Sequence, residues 1–425
     1  MMDNQRIYSN KFFVYSKRLK IMNINKPLDT ILTATCPACG LLCDDVMIKH
    51  NQEKLEVSEN TCAKSIQFFE QSLIQKSPRI KGRSVNLPAA ITYAVQLLQH
   101  AKSPLFSGMS TDVQGFRAVF NLAQKTQASI RHIHAESSAR NTQVMQSTGW
   151  YTTTLSEVKN RAEVIVCIGT NIITHNPRFF ERFVWVKDSL FVKPDDRKII
   201  YIGDNLNTQA GQSPHGQQTE SLQCSSAQLP EVMASLRALV LDKKIKASEV
   251  GGIAIHTLQT LAETLKQSKY SVLAWCAKDL DYAHAELTIQ NITETVNALN
   301  QTTRAAGLHV GGSDGDTSVN YANAWLTGFV LNNQFNTHDL TVWINSFSPE
   351  KAPPASSHPI IVIGNANTTF VTEPEVFIPI ATPGLDSKGT LFRVDGTIAL
   401  PLKKIRNTDM PTLAEIVHKI EEALV

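Results

Sequence analysis

The stretch Cys36-Pro-Ala-Cys-Gly-Leu-Leu-Cys-Asp-Asp45 puts three thiols within eight residues, and Cys62 stands nineteen positions beyond the third. Cys-x2-Cys-x3-Cys with a distant fourth thiol lets one loop and one neighbouring element enclose a metal centre. Thiolate softness suits iron–sulfur or zinc. Zinc ribbons more often pair two Cys-x2-Cys knuckles, so the x3 spacing favours a [4Fe-4S] cluster over structural zinc. A third alternative has Cys36, Cys39, Cys43 and Cys62 hold no metal and simply pack a retained loop.

Other candidate chemistry is sparser. In "RHIHAES", His132 and His134 stand two apart on an expected strand, so both fall on one face and could pair on a metal. No acidic triad lies near them to complete a site, and partly buried histidines on a sheet edge explain the pair as well. The Gly-rich "GLHVGGSDGDTS" from Gly307 to Ser318 could cradle phosphates, but it lacks the Lys and the strand–helix frame of a P-loop. No Gly-x-Ser-x-Gly elbow or His-Glu-x-x-His motif occurs.

These residues must be positioned by elements that the hydrophobic pattern reveals. "DDVMIKH" and "KLEVSEN" alternate apolar and polar residues around the turn-like "NQE", which predicts a β-hairpin returning to Cys62. "CAKSIQFFEQSLIQ" and "LPAAITYAVQLLQHA" have helical spacing. Downstream, "PLFSG", "EVIVCIG", "KIIYIGD", "SVLAWC", "LTVWINS", "PIIVIGN" and "VFIPIAT" are short apolar strands separated by helices or loops. That alternation is the pattern of parallel sheets covered on both faces. The expected fold is therefore α/β: a small N-terminal Cys-rich β-hairpin domain followed by two parallel-sheet α/β layers. Residues 30–80 form the first unit, and 81–205 and 231–425 the α/β units. The polar 206–230 segment ("NLNTQAGQSPHGQQTESLQCSSAQL" region) links them.

Bulk properties exclude several classes. The chain has 425 residues, 42% hydrophobic and 19% charged, with a net charge of +3. That charge argues for neither nucleic acid nor an anionic membrane, and no apolar segment reaches the roughly 18 residues needed to span a bilayer. The basic first 21 residues lack the apolar core of a secretory signal. Met22 would itself make a start, and residues 1–29 are read as a disordered or mis-started extension. Seven cysteines, four clustered and three scattered (Cys167, Cys224, Cys276), suit a reducing cytoplasm rather than a disulfide framework.

The cysteine cluster, with "CDD" after it and "CAKS" at the fourth thiol, resembles the N-terminal domain of the formylmethanofuran dehydrogenase B subunit, a molybdopterin oxidoreductase. "GTNIITHNPRFFERF" is similar to that family's Asn-Pro…His-Pro-Arg…Arg segment through Asn171, Pro177, Arg178 and Arg182. "NYANAWLTGF" resembles its Asn…Trp-x-Thr-Gly-Tyr segment, and "TPGLDSKGTLFRVDG" its closing stretch through Gly389, Thr390, Arg393 and Asp395. Four motifs in order from residue 36 to residue 395 make a specific pattern. The resemblance implies formate dehydrogenase domains I–III, a four-iron cluster, and a tungsten or molybdenum bis-pterin centre held by a Cys or selenocysteine in the loop within "PLFSGMSTDVQGFRAVF".

Two departures follow. No cysteine occurs between Cys62 and Cys167, and Gln114 stands near the ligand position. A carboxamide replaces a soft anionic ligand poorly. Asp112 could ligate instead, or could cap the helix that starts beside it. In "IYIGDNLNT", Asn205 and Leu206 replace the Pro-Arg that grips the cofactor's nucleotide tail in the family, leaving Asp204 and Thr208. Losing that Arg weakens anion binding. Arg178, Arg182, Asp204 and Thr208 are thus the candidate vestigial cofactor or cavity residues, and the two arginines could guide formate.

The pattern fits the branch of the family found in methylotrophs. There, related A, B and C subunits, together with a formyltransferase, move formyl to a methanofuran-like carrier and hydrolyse it to formate, without redox chemistry. The expected role is a non-redox scaffold for the amidohydrolase-type A subunit, lacking the tungsten or molybdenum pterin. The alternatives are an active tungsten- or molybdenum-dependent dehydrogenase chain, or a cluster-only electron-transfer chain.

Overall fold

The structure is a computed structural model describing residues 30–50, 54–72, 76–331 and 337–424. The expected N-terminal extension, residues 1–29, and the "NQE" turn lie outside the described residues.

Every residue of the strands Val164–Ile168 and Ser271–Trp275 is apolar or small, and every one is buried. Such strands exist only where helices cover both faces of a sheet. They form the centre of a five-stranded parallel sheet in the order Glu220–Leu222, Lys198–Ile202, Val164–Ile168, Ser271–Trp275, Ala305–His309. The helices Leu229–Val240, Ile255–Gln267 and Ala285–Leu299 pack their apolar faces over it.

A second, seven-stranded sheet runs Arg83–Ser84, Arg79–Ile80, Val376–Ile380, Ile360–Asn365, Leu340–Asn345, Pro104–Ser110, Ser129–Ile130. Its pairings from Val376–Ile380 to Ser129–Ile130 are parallel, and a short antiparallel hairpin closes the other edge. The helices Leu87–His100, Val113–Lys125 and Leu413–Ala423 share its core.

The two sheets are interleaved rather than sequential. The five-stranded sheet is built from residues 164–309, between two halves of the seven-stranded one. The boundary expected at 206–230 therefore falls inside one sheet, where Glu220–Leu222 pairs parallel with Lys198–Ile202. Local polarity marked a long surface crossover, which sequence cannot distinguish from a linker.

The N-terminal unit is a three-stranded antiparallel sheet of Thr30–Ala34, Val46–His50 and Leu55–Glu59, followed by the helix Ala63–Phe69. No helix among the described residues is long and apolar enough to cross a membrane.

Candidate functional site

The cysteine loop folds on itself through the Cys36 amide, which donates to the Cys43 carbonyl at 2.8 Å. Cys62 is the N-cap of the helix Ala63–Phe69, and its amide donates to Ser65 Oγ at 2.8 Å. This brings the four thiols into mutual electrostatic range, with Cys36, Cys39 and Cys43 buried. Burial pushes the Cys36 thiol well up, and Cys39 up to about 11. The Asn176 side chain favours the Cys39 thiolate, and Arg182 and Arg178 favour that of Cys43, against the burial that raises both thiols. Fixed dipoles and cations of this kind are what a thiolate-bound centre needs around it. No three of these four sulfurs lie within 4.8 Å of one another. Tetrahedral zinc, at about 2.3 Å from each sulfur, would draw them to about 3.8 Å. A cubane binds each thiolate to a different iron, so four thiols gathered here are compatible with a metal cluster.

The cysteine loop docks on the Gly-rich segment. Gly40 donates to the Gly311 carbonyl at 3.2 Å and accepts from the Val394 amide at 2.8 Å. A Cβ on Gly40 would stand 2.5 Å from the Gly311 oxygen and 2.9 Å from Gly312 Cα. Glycine at 40 and 312 is required by this backbone-on-backbone approach. Asn176 braces the same segment, exchanging two 2.7 Å hydrogen bonds with Gly311.

The loop that would carry the tungsten or molybdenum ligand leaves the strand Pro104–Ser110 and enters the helix Val113–Lys125. Asp112 is 5% exposed. Its Oδ1 accepts from the Gly115 amide at 3.0 Å and its Oδ2 from the Thr390 amide at 3.1 Å. Asp112 thus caps the helix and ties it to the hairpin beginning at Gly389. Burial raises its carboxyl above the usual range despite these bonds. Gln114, one residue into the helix, is exposed. The residues of this loop do not fit a metal–pterin centre: they offer no thiolate, and the one carboxylate is occupied by backbone donors.

The two arginines are engaged by carboxylates. Arg178, 4% exposed, makes a bidentate pair with Asp45 at 2.8 and 2.9 Å, a 2.6 Å pair with Glu181 and a 2.6 Å bond to the Asn60 carbonyl. Arg182 pairs with Asp44 at 2.7 Å. Both hold the cysteine unit to the α/β body, and the role of guiding formate finds no free guanidinium there. Asp204 is exposed and lines a cavity of about 180 Å³ with Asn171 and Leu206, at the carboxyl ends of Val164–Ile168 and Lys198–Ile202. Thr208 does not line it; its carbonyl accepts from Thr219 Oγ1 at 3.3 Å.

His132 and His134 are not on a strand. The strand Ser129–Ile130 ends before them, and His134 is the N-cap of the helix Ala135–Ser147. Both turn to Asp314, His132 Nε2 to its carbonyl at 3.1 Å and His134 Nε2 to its carboxylate at 2.7 Å. Lys351 Nζ reaches the same carboxylate at 2.5 Å. Burial alone would raise Asp314, but His134 and Lys351 outweigh it and hold the carboxyl well below its usual range. Burial pulls His132 down to about 4, against the attraction of Asp316 and Asp314.

Solved structures of known proteins share this fold. The chain has the mixed α/β fold of acetylene hydratase from Pelobacter acetylenicus, with a TM-score of 0.63 over 92% of this chain and 69% of that one at 7% identity. It also shares the fold of a chain in the formyltransferase/hydrolase complex FhcABCD from Methylorubrum extorquens, solved with methylofuran (TM-score 0.67, 82% and 98% covered, 19% identity). Curated relatives narrow this further. The B subunit of the tungsten-containing formylmethanofuran dehydrogenase 2 of Methanococcus maripaludis is 22% identical, with 93% of this chain and all of the relative covered. The B subunit of the formyltransferase/hydrolase complex Fhc of Methylorubrum extorquens is 22% identical over 81% of this chain and 97% of the relative. The resemblance to the formylmethanofuran dehydrogenase B subunit and its Fhc counterpart, read above from four motifs, is thus shown across the chain. No family model matches.

Proposed function

We propose that this chain is the B-type component of a formyltransferase/hydrolase-type complex in C1 metabolism, and that it acts as a non-redox frame. Its partners in this reading are the amidohydrolase-type A subunit, the C subunit and the formyltransferase of the same complex, which together handle a methanofuran-like carrier. Seven free cysteines support placing it in a reducing cytoplasm. The observation that carries the reading is Asp112. In the loop where a tungsten or molybdenum ligand belongs, the one anionic side chain has both oxygens committed to the Gly115 and Thr390 amides.

The intact complex tests this by elemental analysis and by formate-dependent dye reduction. The expected result is no stoichiometric tungsten or molybdenum and no reduction. Either metal at one per copy of this chain, or dye reduction, overturns the proposal.

A second reading concerns the four cysteines alone. Asn176 and Arg182, which favour the thiolates of Cys39 and Cys43, support a retained four-iron cluster bound by Cys36, Cys39, Cys43 and Cys62. When bound, such a cluster supplies one-electron transfer. Four irons per chain with a blue-visible absorption shoulder, in the absence of tungsten and molybdenum, would establish it. An iron-free, fully active complex would exclude it.

A further inference from the structure

At the carboxyl end of the strand Ser271–Trp275 the chain gathers a second set of ligand-type side chains, separate from the four cysteines. Cys276 follows the strand, Asp279 stands three residues on, and His175 ends the short helix Ile172–His175. Among the described residues, this is the group whose sulfur, imidazole nitrogen and carboxylate oxygen all lie within 4.8 Å of one another. His175 Nε2 is 2.7 Å from Asp279 Oδ1. The other carboxylate oxygen accepts from Thr170 Oγ1 at 2.6 Å and from the Asn171 amide at 3.3 Å. The His175 carbonyl accepts from Lys64 Nζ at 2.9 Å, which pins the helix end. Cys276 is 1% exposed, with Gly311 so close that a Cβ there would stand 3.2 Å from its sulfur.

We propose that Cys276, His175 and Asp279 form a binding site for a borderline divalent cation of the Zn²⁺ type. One thiolate, one imidazole and one carboxylate are a donor set that zinc accepts and that magnesium or calcium does not favour. Zinc–nitrogen and zinc–oxygen distances near 2.0–2.1 Å would widen the His175–Asp279 contact by about half an ångström. Thr170 and Asn171 already orient the carboxylate from outside, as the outer partners of metal ligands do. Three protein ligands leave a fourth position. Cys276 lines a cavity of about 150 Å³ with Trp150, Lys278 and His309, and Asp279 lines another of about 180 Å³ with Asn171 and Asp204. The site depends on no part of the functional reading above.

The test uses the full chain in its complex, stripped by chelator and titrated with Co²⁺, comparing wild type with Cys276→Ser, His175→Gln and Asp279→Asn. The wild-type minus Cys276→Ser difference should show one equivalent of cobalt and a near-ultraviolet sulfur-to-cobalt band. The N-terminal cysteines cancel in that difference. Each variant should bind that equivalent about 100-fold more weakly or worse, and Co²⁺ should raise the melting temperature of wild type more than that of any variant. Equal stoichiometry and affinity in wild type and Cys276→Ser would overturn the site. So would His175→Gln and Asp279→Asn variants that lower the melting temperature as much in chelator as in cobalt, since that marks a structural ion pair only.

Discussion

The cysteine loop and the loop between the strand Pro104–Ser110 and the helix Val113–Lys125 are joined through the same hairpin. Val394 donates to Gly40 of the first, and Thr390 donates to Asp112 of the second. They differ in what their polar side chains are free to do. In the first, four thiols remain without disulfide partners, and Asn176 and Arg182 favour the thiolate form of two of them. In the second, the anionic side chain satisfies buried amides, and its neighbour Gln114 faces outward. In the second loop the carboxylate satisfies amides that the turn into the helix would otherwise leave buried without a partner.

The largest effect should come from the contact that seats the first loop. Gly40→Ala would drive a Cβ into the Gly311 carbonyl, a backbone atom that cannot rotate away. We expect a loss of about 3 kcal/mol or more, read by chemical denaturation, with reduced recovery of the complex. A stability within about 0.5 kcal/mol of wild type would mean the two loops are not closely docked.

Acid should act next. His132 is held neutral in the fold, with a value pulled down to about 4, while the unfolded chain titrates near 6.5. Below pH 6.5 the unfolded state binds the extra proton, so stability falls as pH drops toward 4 and levels off below it. The loss is on the order of 3 kcal/mol. His134, Asp314 and Asp316 act on this ring, and Lys351 and Lys278 pair with the two carboxylates. Asp314 and Asp316 have depressed values, so their own losses fall below about pH 4, outside this window. Denaturation midpoints at pH 7.5, 5.5 and 4.5 check this, and His132→Asn should flatten the slope.

Asp112→Ala sharpens the contrast between the two loops. It leaves the Gly115 and Thr390 amides without their partner in a buried place, which should cost about 2 kcal/mol. Tungsten, molybdenum and iron contents should not change. A drop in tungsten or molybdenum would make Asp112 a ligand instead of a cap.

Much of the frame was legible in the sequence, for a physical reason. Strands such as Val164–Ile168 and Val376–Ile380 are buried on both faces and so read as apolar runs. The capping alternative for Asp112 was visible because an Asp before a helical pattern has few other local uses. Contacts that join distant segments were not legible. His134 and Asp314 are 180 positions apart, so the histidine pair seemed to lack an acid. Gly311 and Gly312 looked like a phosphate loop because a glycine run reports close approach without saying what approaches. Cys276 stood alone in the sequence; only the fold brings His175 to it. The nesting of one sheet inside the other was hidden because hydrophobic runs do not name their partner strands.

The smallest effects separate the two arginines. Arg182 meets Asp44 at a surface where that carboxylate is 57% exposed, so Arg182→Ala should cost less than about 1 kcal/mol. Arg178 is buried, and its fork is filled by Asp45, Glu181 and the Asn60 carbonyl. Its acidic partners are partly exposed, 35% and 59%, which discounts the loss from the range of fully buried pairs to about 2 kcal/mol for Arg178→Ala. Arg178→Lys should recover little, because an ammonium cannot reproduce the bidentate contact with Asp45. If the arginines instead served a formate path, both alanine variants would lower activity of the complex at unchanged stability, and Lys would rescue because it keeps the charge. Measuring turnover and denaturation on wild type and these three variants distinguishes a clamp between units from an anion guide.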